Sequence, residues 1–146
     1  MIRHTLRTLC AATLVIAPVA LTATPAHAVA PCRVNGIPVS GTNVVGTPGA
    51  DSLTCGSLAA GDVVDGLGGA DHIRIGGDVG GGATVRGGTG GDHLRVDGSV
   101  GPMGRVLGGD GGDYIVVGPN AGAVNGGAGA DYCRVASGNP AAGCAF

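Results

Sequence analysis

The sequence predicts an all-β parallel solenoid of about five coils of 18–21 residues, and three observations carry that reading. The first is a period. Asp51, Asp71, Asp92, Asp113 and Asp131 recur at separations of 20, 21, 21 and 18 residues. Each has Gly five residues before it (Gly46, Gly66, Gly87, Gly108, Gly126) and Gly two before it (Gly49, Gly69, Gly90, Gly111, Gly129). A fixed period near 20 over some 90 residues is the mark of stacked structural repeats. The second is alternation. Apolar residues stand two places after each Asp (Leu53, Ile73, Leu94, Ile115, Cys133) and four places after it (Cys55, Ile75, Val96, Val117, Val135), and Val stands seven before it (Val44, Val64, Val85, Val106, Val124). Period two means short strands with one face inward. The third is composition. Thirty-two Gly, all of them after residue 35, leave no window of the repeat region able to hold a helix at about 1 kcal/mol per Gly. Aromatics are 2%, so the core is built from small aliphatic side chains.

Taken in chain order, the first 28 residues stand apart. Arg3, His4 and Arg7 give a positive start, Leu9 to Leu21 an apolar run interrupted by Pro18, and Ala26-His27-Ala28 the small residues of a cleavage site. This is the pattern of a secretory signal peptide, cleaved after Ala28, and the run falls short of the ~20 residues a membrane span needs. Residues 29–45 are expected to form an N-terminal cap, 46–135 the solenoid and 136–146 a C-terminal cap. The chain without the leader has 118 residues, all 32 Gly, six Arg, ten Asp, no Lys and no Glu. Its net charge of −4 argues against nucleic acid as a partner. Within the solenoid each coil reads as Asp turn, strand, plain turn, strand. Val79 and Val100 are expected to fill the space beneath the plain turns, which also carry Asp62, Asp78 and Asp97.

The Asp segments resemble the RTX, or hemolysin-type, calcium-binding repeat GGxGxDxUx, in which U is a large aliphatic residue. Nonapeptide repeats of this kind form parallel β-helices that bind calcium. Gly87–Asp92, Gly108–Asp113 and Gly126–Asp131 match in full; Gly66–Asp71 has Leu67 at the second Gly; Gly46–Asp51 has Thr47 there and Pro48 next. The resemblance implies a right-handed parallel β-roll with Ca2+ between neighbouring turns. Its ligands would be the carboxylates of Asp51, Asp71, Asp92, Asp113 and Asp131. Oxygens of Gly66, Gly68, Gly87, Thr89, Gly91, Gly108, Asp110, Gly112, Gly126, Ala128 and Ala130 would complete the shells. The family carries the motif on both edges of each coil, whereas here it occurs once per coil, so one edge is expected to be loaded and the other plain. Ca2+ takes six to eight oxygens, which two stacked turns can share. The same Asp and Gly residues also suit ion-free turns; against that stands the repulsion within a column of Asp closer than a Debye length. The expected function is a secreted, calcium-binding repeat protein whose chain is loose without calcium and ordered with it. Arg without Lys, with much Ala and Gly, is the bias of a GC-rich bacterium such as an actinomycete.

Four cysteines follow the leader: Cys32, Cys55, Cys133 and Cys144. An even number in an exported chain implies disulfides, with three pairings open. The favoured pairs are Cys32–Cys55 and Cys133–Cys144, because Cys55 and Cys133 take inward positions of the first and last coils and each local bridge would pin a cap over an open end.

Outward positions form two stripes: Ser52, His72, His93, Tyr114 and Tyr132 directly after each Asp, and Thr54, Arg74, Arg95, Val116 and Arg134 two places further on. They are either a solvated strand face or a docking surface for a glycan, an anionic polymer or a protein, as in an adhesin or matrix component. No catalytic constellation is legible. Ser40, Ser52, Ser57, Ser99 and Ser137 lack a nucleophile elbow, and Gly87–Gly90 is followed by no Lys and is not a phosphate loop. The chain is expected not to be an enzyme.

Overall fold

The computed structural model describes residues 31–145; the expected signal peptide lies outside the described residues. The described residues are all-β, and their strands wind into a solenoid of about five coils. Strands β1 (Cys32–Val34) and β2 (Ile37–Val39) form a hairpin ahead of it. The coils then alternate between two parallel sheets. One is built from β3 (Asn43–Val45), β5 (Val63–Asp65), β7 (Thr84–Thr89), β9 (Arg105–Asp110) and β11 (Ala123–Ala128). The other is built from β4 (Ser52–Cys55), β6 (His72–Ile75), β8 (His93–Val96), β10 (Tyr114–Asn120) and β12 (Tyr132–Gly138). Single bridges Leu58–Val79–Val100–Asn120 run up the plain edge as a third, narrow ladder.

The register follows the sequence columns. Val44, Val64, Val85, Val106 and Val124 stack across the first sheet, and Leu53, Ile73, Leu94, Ile115 and Cys133 across the second. These columns, with Cys55, Ile75, Val96 and Val117, make a continuous interior, and Leu58, Val79 and Val100 fill it beneath the plain turns. A buried aliphatic side chain contributes roughly 1.5–3 kcal/mol, so the core is a sum of many small, repeated terms. Polar Asn120 takes the fourth place in the plain-turn column. Its amide donates to the Asn139 carbonyl at 2.9 Å and accepts the Gly122 N–H at 3.0 Å, which removes the cost of burying it.

Both ends are covered. The hairpin turns through Asn35-Gly36, both at positive φ (52° and 80°), which matches the twist of two-residue hairpins. Its strand β1 lies antiparallel on β4, and the Cys32–Cys55 disulfide fastens the two. At the other end residues 142–145 lie over the last coil: Ala142 bridges Asn125, Gly126 N–H donates to the Ala142 carbonyl at 2.9 Å, and Cys144 is bonded to Cys133. Both disulfides expected from the spacing are therefore present. The strand Asn43–Val45, which falls in the segment expected as a cap, pairs with β5 as part of the first coil.

The unequal repeat lengths have a simple origin. From the inward Val to the ladder Asp the count is seven in every coil, as in Val64 to Asp71 and Val124 to Asp131. The plain edge absorbs the differences. Val96 to Val100 is four steps but Val117 to Asn120 three, and Val100 to Arg105 is five but Asn120 to Ala123 three. Surface connections tolerate such changes, whereas a one-residue slip next to a strand reverses its faces. One glycine inserted after Gly81, in a plain turn, is expected to shift Tm by only a few degrees. One inserted after Gly90, in an Asp turn, is expected to abolish the cooperative thermal transition, read by circular dichroism.

Candidate functional site: a buried aspartate ladder

The five recurrent Asp residues are buried, at 2–5% exposure. What holds them is a hydrogen bond from coil to coil. The N–H of Asp51 donates to Oδ1 of Asp71 at 2.8 Å, Asp71 to Asp92 at 2.9 Å, Asp92 to Asp113 at 2.8 Å and Asp113 to Asp131 at 2.8 Å. Each carboxylate thus substitutes for a backbone carbonyl at the point where the parallel ladder leaves one strand and turns into the next. The regular pattern resumes directly afterwards, with the N–H groups of His72, His93, Tyr114 and Tyr132 donating to the carbonyls of Asp51, Asp71, Asp92 and Asp113 at 2.7–2.8 Å.

The second carboxylate oxygens are different. Oδ2 of Asp71, Asp92, Asp113 and Asp131 is buried and has no hydrogen-bond partner among the described residues. The glycine five residues upstream explains where it sits. A Cβ built on Gly66 would collide with Asp71 Oδ2 and the Gly87 carbonyl oxygen; on Gly87, with Asp92 Oδ2 and the Gly108 oxygen; on Gly108, with Asp113 Oδ2 and the Gly126 oxygen; on Gly126, with Asp131 Oδ2 and the Gly143 oxygen. Every rung therefore sets an anionic oxygen and a carbonyl oxygen from the following coil against the same glycine. This column is Gly for want of space. In the column two before each Asp both reasons act at Gly69, Gly90, Gly111 and Gly129: each takes a positive φ, as at Gly90 (125°) and Gly111 (136°), and a Cβ there would collide with the backbone of the preceding coil. Leu67, the departure from the repeat pattern, takes φ 74° at a position where the equivalent Gly88, Gly109 and Gly127 are also positive.

The first rung is closed by protein groups. Asn35 Nδ2 donates to Asp51 Oδ1, and the N–H and hydroxyl of Thr47 donate to Asp51 Oδ2. Asn35 also accepts the Ser52 N–H at 2.8 Å, so one turn residue of the hairpin supplies the contacts a preceding coil would make. Neither Asn35 nor Thr47 belongs to the set expected from the sequence. The Asn-Gly dipeptide flanked by apolar residues was the available signal for the hairpin, and nothing local links it to a residue 16 positions away. At the far end the Gly143 carbonyl takes the place that Gly87, Gly108 and Gly126 take in their coils.

The other expected ligands divide into four groups. Gly66, Gly87, Gly108 and Gly126 are buried beside the carboxylates. The carbonyls of Thr89, Asp110 and Ala128 accept the N–H groups of Gly69, Gly90 and Gly111 at 2.7–2.9 Å, which commits them to the backbone ladder. Gly91, Gly112 and Ala130 lie on the exposed rim of the turns, and Gly68 is a buried bridge partner of Thr89. Among the described residues no three His, Cys, Asp or Glu side chains gather into a single metal-holding group. An ion on the ladder would therefore draw on one or two carboxylates, main-chain oxygens and water.

Elsewhere the acids are differently placed. Asp97 pairs with Arg74 at 2.8 Å and with Arg95, and the two guanidinium groups hold its carboxyl below the usual range. Asp78 accepts the N–H and hydroxyl of Ser99, with the same direction of effect, and Asp62 accepts the Ala59 N–H. Of the outward stripes, His72, Arg74, His93, Arg95, Tyr114, Tyr132 and Arg134 are all exposed. The rings of His72, His93, Tyr114 and Tyr132 follow one another at centroid distances of 4.8, 4.9 and 5.0 Å.

Burial pushes the carboxyls of Asp71, Asp92 and Asp113 above the ordinary value, and neighbouring Asp residues add to it. In these three the folded state binds protons that the unfolded chain releases. Their contribution is fully present below the unfolded pKa and is lost as pH rises through the raised folded values. Asp51, held low by the Thr47 N–H, Asp78 and Asp97 act oppositely, and only at more acid pH. In chelator, Tm is thus expected to rise as pH falls from neutrality toward about 4, then to drop; a Tm that falls steadily from neutrality on acidification would contradict the ladder's electrostatics. No family model, curated protein or solved structure matches the chain.

Proposed function

We propose that this is a secreted calcium-binding repeat protein in which Ca2+ bound along the aspartate ladder stabilises the solenoid. The observation that carries the reading is the row of four buried Oδ2 atoms with no hydrogen-bond partner among the described residues. A buried, unpartnered charged oxygen is costly. Strand-spaced carboxylates about 4.8 Å apart repel one another by on the order of 3 kcal/mol per neighbouring pair at an effective dielectric of 20. A hard cation relieves both costs, and oxygen is the ligand atom Ca2+ takes.

The residues suited to hold it are Asp71, Asp92, Asp113 and Asp131 through Oδ2, with the carbonyls of Gly87, Gly108, Gly126 and Gly143. Asp51 is the least suited, because Asn35 and Thr47 already satisfy both of its oxygens. The geometry favours a structural ion: the carboxylates are interior and repeated, with no distinct pair set apart as an acid and a base. Secretion accords with the leader pattern and with two disulfides, which persist in oxidising surroundings. Among the described residues no helix is long and apolar enough to cross a membrane.

Calorimetric titration of residues 29–146 with CaCl2 at neutral pH is expected to show binding, and stability is expected to rise by RT ln(1 + [L]/Kd) per site, about 2.7 kcal/mol at a hundredfold excess over Kd, read as a higher Tm. Asp92→Asn retains an oxygen acceptor for the Asp71 N–H and removes the charge. It is expected to raise Tm in chelator and to shrink the calcium response. A wild-type Tm indifferent to millimolar Ca2+ would reject the proposal.

A further inference from the structure

The outward face of the second sheet carries a pair of imidazoles that the calcium reading does not use. His72 on β6 and His93 on β8 are direct partners in the parallel register, both exposed, with ring centroids 4.8 Å apart and planes at 49°. We propose that His72 and His93 form a two-imidazole surface site for a borderline divalent transition ion of the Cu2+ or Ni2+ kind.

The argument is one of ligand chemistry and spacing. Two imidazoles bound cis to one ion at a metal–nitrogen distance of about 2.1 Å hold their ring centroids roughly 4.5–5.5 Å apart, and the register of adjacent strands supplies that separation without bending the backbone. The flanking Arg74 and Arg95 would repel a cation, but both are paired with the single carboxylate of Asp97, which cancels one of their two charges at this end of the stripe. On one side of the pair the next residue in register is Ser52, small and exposed, which leaves access to His72; on the other, Tyr114 meets His93 edge-on at 4.9 Å and steadies its ring. Imidazole nitrogen selects borderline ions such as Cu2+ and Ni2+, whereas the oxygen ligands of the ladder select hard Ca2+. The two sites therefore differ in both location and preference, and water completes the shell outside.

The test is titration of residues 29–146 with NiCl2 in the presence of millimolar CaCl2, followed by calorimetry, and electron paramagnetic resonance of the Cu2+ form. One ion per chain with hyperfine structure from two nitrogens is expected. His72→Ala and His93→Ala should each weaken binding about tenfold or more, with Tm unchanged because both side chains are on the surface. Asp92→Asn should leave nickel binding intact while reducing the calcium response, which separates this site from the ladder. Ser52→His places a third imidazole in register with His72 and should tighten binding about tenfold. Binding that survives both alanine variants, a single-nitrogen spectrum, or a Ser52→His variant with wild-type affinity would overturn the proposal.

Discussion

The whole structure depends on one repeated hydrogen bond, from the N–H of each ladder Asp to the carboxylate of the Asp one coil later. A parallel sheet ends where its backbone must turn, and there the regular N–H to carbonyl ladder breaks. The carboxylate bridges that break, so the hydrogen-bond network continues round the corner from one sheet into the other. The bond is charge-assisted and buried, which makes it strong and local. It also fixes a cost: the same carboxylate brings a second anionic oxygen into the interior, where none of the described residues donates a hydrogen bond to it.

That cost explains the asymmetry between the two edges of the solenoid. On the Asp edge the path from Val to Asp is constant, and a Cβ at the upstream glycine would collide with two oxygens. On the plain edge the interior is aliphatic, held by the Leu58–Val79–Val100 column, and the surface loop length varies from coil to coil. Apolar packing is indifferent to how the chain enters and leaves; an oxygen cluster is not. The edge with ionic chemistry is geometrically strict, and the edge without it takes up the irregularity of the sequence.

The ends obey the same logic. A solenoid exposes its core and its unpaired strand edge at each terminus. Here the hairpin residue Asn35 and the C-terminal Gly143 each reproduce a contact of the missing coil, and a disulfide holds each segment in place. The outer face is freer. Its histidine and tyrosine rings follow one another at strand spacing because the inner columns hold the register, and centroid distances of about 5 Å follow from that spacing.

Much of this was legible in the linear chain, because a solenoid converts long-range contacts into a short period. Five Asp, ten Gly and the Val, Leu and Ile columns mark the strands, their inward faces and their register, and the even cysteine count with local spacing marks the caps. Whether the Asp side chains face a solvent-side ion or the interior is not a periodic property. It depends on how two successive coils approach, and only the folded chain brings the Asp51 N–H to Asp71 or Asn35 to Asp51. The same holds for the roles of glycine: both columns avoid a collision with the backbone of another coil, one of them also adopts a positive φ, and the two look identical until the coils are stacked. The sequence alone determined a repeat and its faces, since these follow from side-chain periodicity; the tertiary structure decided which oxygens are left unpaired, since pairing is settled between residues some 20 positions apart.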